Sequence, residues 1–281
     1  MRKAGFITVV TVLCLAVFSF AASAEEITAD ELRKVIDSQP YINLFDVRST
    51  DEYEKGTIPG ASSFPLDGLK DAVRKILDNG FSAMSVDVYV YGGTEEESIK
   101  AAEIMTGLGF TNVHYLSDVG SWPDILVTPR AILGDMKTTD LNGQPVDASM
   151  IAGSRLVMVN VWATYCGPCI NEMQGLGNLA RELKDQGIRV IGLLSDCTNS
   201  DLSVNATLAK KARSIVESTQ ADYPHILPSA IMIRNVITQI QAVPTTFFLD
   251  ENGIMVGEVY VGARDDQAWH EIVMKTLEGL E

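Results

Sequence analysis

Two cysteines separated by a glycine and a proline, Cys166-Gly167-Pro168-Cys169, are the residues in this sequence best placed to do chemistry. A pair at that spacing can close and reopen a disulfide, or supply half of a four-ligand zinc site. The metal reading needs a second pair, whereas His114, His225, His270 and Cys197 are scattered singly. The redox reading draws support from its neighbours. An apolar run, Leu156 to Trp162, leads into the pair, and a helical pattern from Pro168 to Lys184 follows it. Proline is tolerated in a first helical turn, where its missing N–H would be unpaired anyway. At a helix N-terminus, the dipole and the free N–H groups would favour the Cys166 thiolate and make it the attacking sulfur. Cys169, one turn in, would be the shielded resolving thiol. The expected cycle is attack by Cys166 on a partner disulfide, a mixed disulfide, and attack by Cys169 to release the reduced partner.

The run Asn160-Val161-Trp162-Ala163-Thr164-Tyr165 before the pair, with Val243-Pro244-Thr245 beyond it, resembles the thioredoxin superfamily. More narrowly it is similar to the exported TlpA-like and ResA-like redoxins, over about Leu133 to Glu281. The resemblance implies a thioredoxin-like fold, a central mixed sheet flanked by helices. It also implies that Pro244 is a cis-proline that faces the dithiol and helps dock the partner's extended chain; the plainer alternative is a proline starting an edge strand. Asn160 stands where cytosolic thioredoxin carries a buried acid that assists proton transfer, so that role must move or be lost. Glu172, on the helix face of Cys169, matches a glutamate that ResA-like proteins use near the dithiol. It could accept the resolving thiol's proton, the alternative being an ordinary solvated helix glutamate. Tyr165 replaces the tryptophan of thioredoxin, and Trp162 reads as packing. The expected catalytic set is therefore Cys166, Cys169, Glu172 and Pro244, with no metal and no cofactor beyond the Cys166–Cys169 disulfide.

Further elements must hold that set in place. Arg189 to Leu194 reads as a strand, Thr245 to Leu249 and Met255 to Val261 as a hairpin turned at Asp250-Glu251-Asn252-Gly253, and Gln267 to Leu280 as a closing helix. Between them, the insert from Asn199 to Gln241 suggests helices near Ala206 to Ser218 and Ser229 to Ile240. Cys197 belongs to no motif; a small semi-buried residue is favoured over a third redox thiol.

The first half is a second α/β unit. Thr28-Ala29-Asp30-Glu31 is a capping box opening a helix to about Ile36. Tyr41 to Phe45 is extended, and Val86 to Tyr91 leads through Gly92-Gly93 into a helix from about Glu95 to Leu108, before an extended Val113 to Leu116. Asp46-Val47-Arg48, Glu52-Tyr53, Gly56 and Ile58-Pro59-Gly60-Ala61 resemble the rhodanese homology domain, over about Glu26 to Pro123. That resemblance implies a catalytic cysteine in the loop after a central strand. The matching position here is Gly92, and Gly93-Thr94-Glu95-Glu96-Glu97 follows it. With no sulfur nucleophile and three carboxylates to repel anions, sulfur transfer is not expected. Asp46, Arg48 and Glu52 read as braces of the fold, and the domain as a binding or positioning module or a structural relic that covers part of the redox domain.

The start of the chain reads as a targeting signal. Arg2 and Lys3 precede an almost wholly apolar Phe6 to Phe20, and Ala22-Ser23-Ala24 offers a cleavage site. The run falls short of a comfortable membrane span, so cleavage is expected over a retained anchor; the bulky Leu13 argues against lipid attachment at Cys14. The expected domains are thus 1–24, signal peptide; 25–127, rhodanese-like and inactive; and 128–281, thioredoxin-like. Without Arg2 and Lys3, 20 basic residues face 37 acidic ones, a net charge of −17, which makes nucleic acid a poor partner. The 46% hydrophobic content suits two ordinary cores.

About 150 mV, roughly 7 kcal/mol, separates a thioredoxin from the strong oxidant DsbA. Gly167-Pro168 is the thioredoxin pair rather than the Pro-His of strong oxidants, which favours a reductant. The implied partners are disulfides of exported proteins, apocytochrome c cysteines among them, and a membrane thiol carrier of the DsbD or CcdA type as electron donor. The expected setting is periplasmic or otherwise extracytoplasmic, with membrane anchoring if the signal is kept. The alternatives are a thiol peroxidase, although the proline and threonine pattern ahead of a lone peroxidatic cysteine is absent, and a non-catalytic scaffold.

Overall fold

The computed structural model describes residues 24–78, 85–124 and 126–280. The expected targeting segment up to residue 23, with its Cys14, lies outside the described residues.

The first sheet is wholly parallel. In chain order its elements are β1 (Glu25–Glu26), α1 (Ala29–Ser38), β2 (Asn43–Asp46), α2 (Thr50–Lys55), β3 (Ser62–Ser63), α3 (Leu66–Asp78), β4 (Asp87–Tyr91), α4 (Glu95–Gly107) and β5 (Asn112–Leu116). The strand order is β1-β5-β4-β2-β3. Local sequence sets the helix starts: Thr28 with Glu31, and Ser49 with Glu52, form reciprocal capping boxes that satisfy otherwise orphaned N–H groups. Central β4 shows the period-two alternation of a strand buried on both faces. Val88 and Val90 pack with Leu69, Val73 and Met105 on one side, and Tyr89 and Tyr91 with Leu32 and Ile36 on the other.

The second unit opens with a small hairpin of β6 (Thr138–Thr139) and β7 (Pro145–Val146). It continues with β8 (Leu156–Trp162), α5 (Gly167–Leu183), β9 (Ile188–Leu194), α6 (Ala206–Thr219), β10 (His225–Ile226), α7 (Ala230–Met232), β11 (Thr245–Leu249), β12 (Met255–Val261) and α8 (Asp266–Glu278). The order is β10-β9-β8-β11-β12, with β10, β9 and β8 parallel and β11 antiparallel to both its neighbours. This is the mixed sheet that the sequence implied. Every residue of β8 is buried. Leu156, Met158 and Trp162 face Met173, Leu176 and Trp269 of α5 and α8, while Val157, Val159 and Val161 face Leu133, Met232 and Val236 on the other side. Helices α5 and α8 approach so closely that a Cβ at Gly175 would stand 1.9 Å from an Asp266 carboxylate oxygen.

Several expectations need correction. The helix drawn from Ser229 to Ile240 is a single turn, α7, followed by a π-helix over Ile233–Ile237, where the Thr238 N–H reaches back five residues to the Ile233 carbonyl. The strand placed at Tyr41 to Phe45 begins two residues later, and α2, α3 and the β6–β7 hairpin were not anticipated. The units also touch. Arg33 of α1 pairs with Asp124 and Asp135, Thr57 bridges to Val127, and Ile231 of α7 enters the first unit's core.

Candidate active site

The parallel strands β8 and β9 end side by side, and the loop after each one holds the other. Thr164, just past β8, donates its N–H and hydroxyl to the Asp196 carboxylate beyond β9, at 3.0 and 2.7 Å. That clamp delivers Cys166 to the N-cap of α5, with its own N–H bonded to the Ala163 carbonyl at 3.1 Å. Cys166 and Cys169 are joined in a disulfide. Cys166 Sγ accepts the Cys169 backbone N–H at 3.2 Å, the contact that would favour a thiolate once the bond is reduced. Cys166 is 5% exposed and Cys169 fully buried, so an incoming nucleophile or disulfide reaches Cys166 first. Tyr165, directly before the pair, is 74% exposed.

The Val243–Pro244 peptide is cis, and the Val243 carbonyl oxygen lies 3.5 Å from Cys166 Sγ. Pro244 is thus brought against the dithiol, and the edge-strand alternative does not describe it, since β11 starts after it in the middle of the sheet.

Glu172 is a buried carboxylate, 6% exposed, where a solvated helix residue was the alternative. One oxygen accepts Asn160 Nδ2–H at 2.9 Å; the other accepts the Arg264 backbone N–H at 3.0 Å and Trp269 Nε1–H at 3.1 Å. Asn160 also donates to Thr246 Oγ1 at 3.0 Å. The Arg264 guanidinium is turned onto the Tyr260 and Trp269 rings. Burial raises the Glu172 carboxyl above its ordinary range, opposed in turn by the N–H donors from Arg264, Trp269 and Asn160 and then by the Arg264 charge. A carboxyl so placed keeps its proton to higher pH than a solvated one does. Asn160 is thus the hydrogen-bond donor to a buried acid carried on α5.

Trp162 is wholly buried and donates Nε1–H to His225 Nδ1 at 3.2 Å, while His225 Nε2 sits 3.0 Å from the Ala221 carbonyl. That pattern places the imidazole proton on Nε2, and burial pushes the pKa of His225 down to about 4. Cys197 is fully buried, more so than expected; burial first, then the neighbouring Asp196, pushes its thiol up to about 12. It is a protonated packing residue at neutral pH.

In the first unit, Asp46, Arg48, Thr57 and Tyr91 form a buried network. The Asp46 carboxylate accepts from Arg48 Nε at 2.9 Å, Arg48 Nη2 at 2.5 Å, Thr57 Oγ1 at 2.9 Å and Tyr91 Oη at 2.8 Å. Glu52 is the capping partner of Ser49. Past β4, the Gly93 N–H donates to Glu97 Oε2 at 2.8 Å, and the Gly92 N–H to Ser98 Oγ at 2.8 Å. A Cβ at Gly92 would lie 2.5 Å from Glu97 Cβ. The Gly92 and Gly93 N–H groups are satisfied from within the loop, and a side chain at Gly92 would have to displace Glu97. Among the described residues, no group of three or more His, Cys, Asp or Glu is placed to hold a metal ion, and no helix is long and apolar enough to cross a membrane.

Sequence reasoning missed Trp269, Arg264, Thr246 and Asp196. The first three lie 74 to 97 residues from the carboxylate they surround or support, Thr246 on β11, Arg264 in the loop before α8 and Trp269 on α8. Only the polar Asn160 in an otherwise apolar strand hinted at a buried polar partner.

Comparison with known proteins places these features. A Rhodanese-like domain model matches residues 28–122, and a Redoxin model matches residues 122–271. A thiol-disulfide oxidoreductase ResA from Halalkalibacterium halodurans is 28% identical over 136 residues, 48% of this chain and 69% of that protein. A thioredoxin-like protein YneN from Bacillus subtilis is 28% identical over 130 residues, 46% of this chain and 68% of that one. A thioredoxin-family thiol:disulfide interchange protein from Chlorobium tepidum superposes with a TM-score of 0.41 at 21% identity, covering 50% of this chain and 92% of that structure.

Proposed function

The chain belongs to the Redoxin family, with a rhodanese-like domain ahead of its thioredoxin-like one, and from that premise we propose that it is a thiol-disulfide oxidoreductase that reduces disulfides of exported proteins. The observation that carries this reading is the Cys166–Cys169 disulfide at the start of α5, with Cys166 slightly exposed and Cys169 fully buried. In the reduced protein, the Cys166 thiolate attacks the partner disulfide, and one partner sulfur leaves as a thiol. Cys169 then loses its proton and attacks Cys166 Sγ, releasing the second partner thiol and re-forming the internal disulfide. Glu172, one helical turn from Cys169, is the base for that second step. Pro244 presents the edge along which the partner's extended chain lies.

Two electrons must then be returned to the dithiol. A membrane thiol carrier of the DsbD or CcdA type fits an exported protein, and the signal-like start of the sequence supports an extracytoplasmic setting. The rhodanese-like domain, with Gly92 in place of a nucleophile, serves as a binding or positioning module.

Insulin reduction driven by dithiothreitol tests the reading. The mature protein accelerates it, and Cys166→Ser abolishes the acceleration. Efficient hydroperoxide consumption with no insulin reduction would instead mark a thiol peroxidase, and activity in neither assay a scaffold.

A further inference from the structure

A cleft of about 250 Å³ lies between the two domains, away from the dithiol. Thr57, Gly60 and Ser62 line it from one side, and Thr128, Arg234 and Asn235 from the other. In a chain with 37 acidic and 22 basic residues, the described residues lining this cleft include no Asp or Glu. Arg234 is half-buried there and has no carboxylate partner among the described residues. Its Nε–H donates to Asn235 Oδ1 at 3.2 Å, and Asn235 is itself held by the Ile132 carbonyl, to which its Nδ2 donates at 3.1 Å. That anchoring leaves both terminal nitrogens free to face the first domain. They lie so close to Gly60 that a Cβ there would stand 2.8 Å from Nη2 and 3.0 Å from Nη1. Gly60 also has φ +89°, so glycine meets both the conformation and the approach. The backbone that carries Arg234 is the π-helix, an irregularity frequent at functional positions.

An unpaired cation withdrawn from water is costly. Burial here weakens the hold of Arg234 on its proton, with the nearby Tyr41 acting against it. A planar guanidinium with Nε occupied and two terminal nitrogens free is suited to an anion that offers two oxygens at once. The hydroxyls of Ser62 and Thr128 are further donors on the cleft wall.

We propose that this interdomain cleft binds a small oxyanion, a carboxylate or an inorganic sulfur or phosphorus oxyanion, through the Arg234 guanidinium, and that binding ties the two domains together. The site is distinct from the dithiol and stands whether or not that centre is a reductase.

The test is thermal unfolding and calorimetric titration of the full mature protein with sodium acetate in one arm and sodium sulfate in the other, each against sodium chloride at matched ionic strength. Saturable binding in either arm, with a Tm rise of several degrees at about a hundred times Kd, supports the proposal; the responding arm identifies the anion class. Arg234→Met should lose the response at least tenfold in affinity, with insulin reduction unchanged and a ligand-free Tm no lower than the parent's. Arg234→Lys keeps the charge without the fork and should bind several-fold more weakly than the parent. The proposal is overturned if neither anion exceeds the chloride control, or if both variants respond as the parent does. A Tm loss in Arg234→Met with no anion response in the parent would make the arginine a structural strut.

Discussion

Each domain of this protein has a central strand that runs into a short loop and then a helix, and in each a buried carboxylate lies close by, yet only one of the two turns carries a cysteine. After β8 the N-cap of the helix is Cys166, whose Sγ receives a backbone N–H. After β4 the corresponding loop carries Gly92, and the Glu97 carboxylate takes the Gly93 N–H. The buried acids differ in the same sense. Asp46 is matched by the Arg48 guanidinium and two hydroxyls. Glu172 is held by uncharged N–H donors, with the Arg264 guanidinium turned onto aromatic rings. A carboxylate matched by a cation braces a fold; one held by uncharged donors, its pKa raised by burial, is set up to exchange a proton. Strand-turn-helix architecture is therefore a frame, and the residue at the helix start and the partner of the nearest acid decide its use.

Breaking the brace should have the largest effect on stability. Arg48→Met leaves the wholly buried Asp46 without its cation and should cost about 3–5 kcal/mol, read by denaturant unfolding of the first domain. A cost under about 1 kcal/mol would mean that the hydroxyls of Thr57 and Tyr91 suffice. Tyr91 supports the same view, because burial and the Asp46 charge push its phenol up.

The acid in the second domain should behave in the opposite way. Glu172→Gln should slow release of the mixed disulfide at neutral pH by about a hundredfold, with little loss of fold. Asn160 Oδ1 is buried without a partner, so turning over the Asn160 amide can receive the new NH₂. The pH dependence has a definite sign. The folded-state pKa of Glu172 is raised, so the stability associated with its protonated form is present below the unfolded value. It is lost as pH climbs through the folded one. The release rate in the parent should rise over that same window, and the step should vanish in the glutamine variant. A parent profile without such a step would remove Glu172 from the mechanism.

How far this contrast could be read beforehand depended on range along the chain. Local signals carried well: the capping box at Thr28, the run from Leu156 to Trp162, and the hairpin turned at Asp250 to Gly253 each depend on neighbours a few residues apart. Replacing the expected nucleophile by Gly92 was also visible in one dimension. The surroundings of Glu172 were not, because Asn160, Arg264 and Trp269 meet it only once β8, α5 and α8 have packed. The π-helix after α7 was likewise hidden, since the apolar residues from Ile231 to Ile240 fit an ordinary helical period as well. Neither α2 nor α3 was expected, although Ser49 with Glu52 is the same capping signal that was read at Thr28.

A cysteine placed in the first domain's loop sharpens the comparison with a smaller effect. Gly92→Cys should confer no thiosulfate sulfurtransferase activity and should destabilise the first domain by about 1–3 kcal/mol, because its Cβ must displace Glu97. Measurable sulfur transfer in this variant would show that the loop is closed by side-chain choice alone and that the frame is still competent.

The most direct test of the central claim is the reduction potential of the Cys166/Cys169 pair, measured in the mature protein with Cys197→Ser by equilibration against defined thiol buffers. A reductant of the thioredoxin kind predicts a value near −270 mV; a value near −120 mV, that of a strong oxidant, would contradict it.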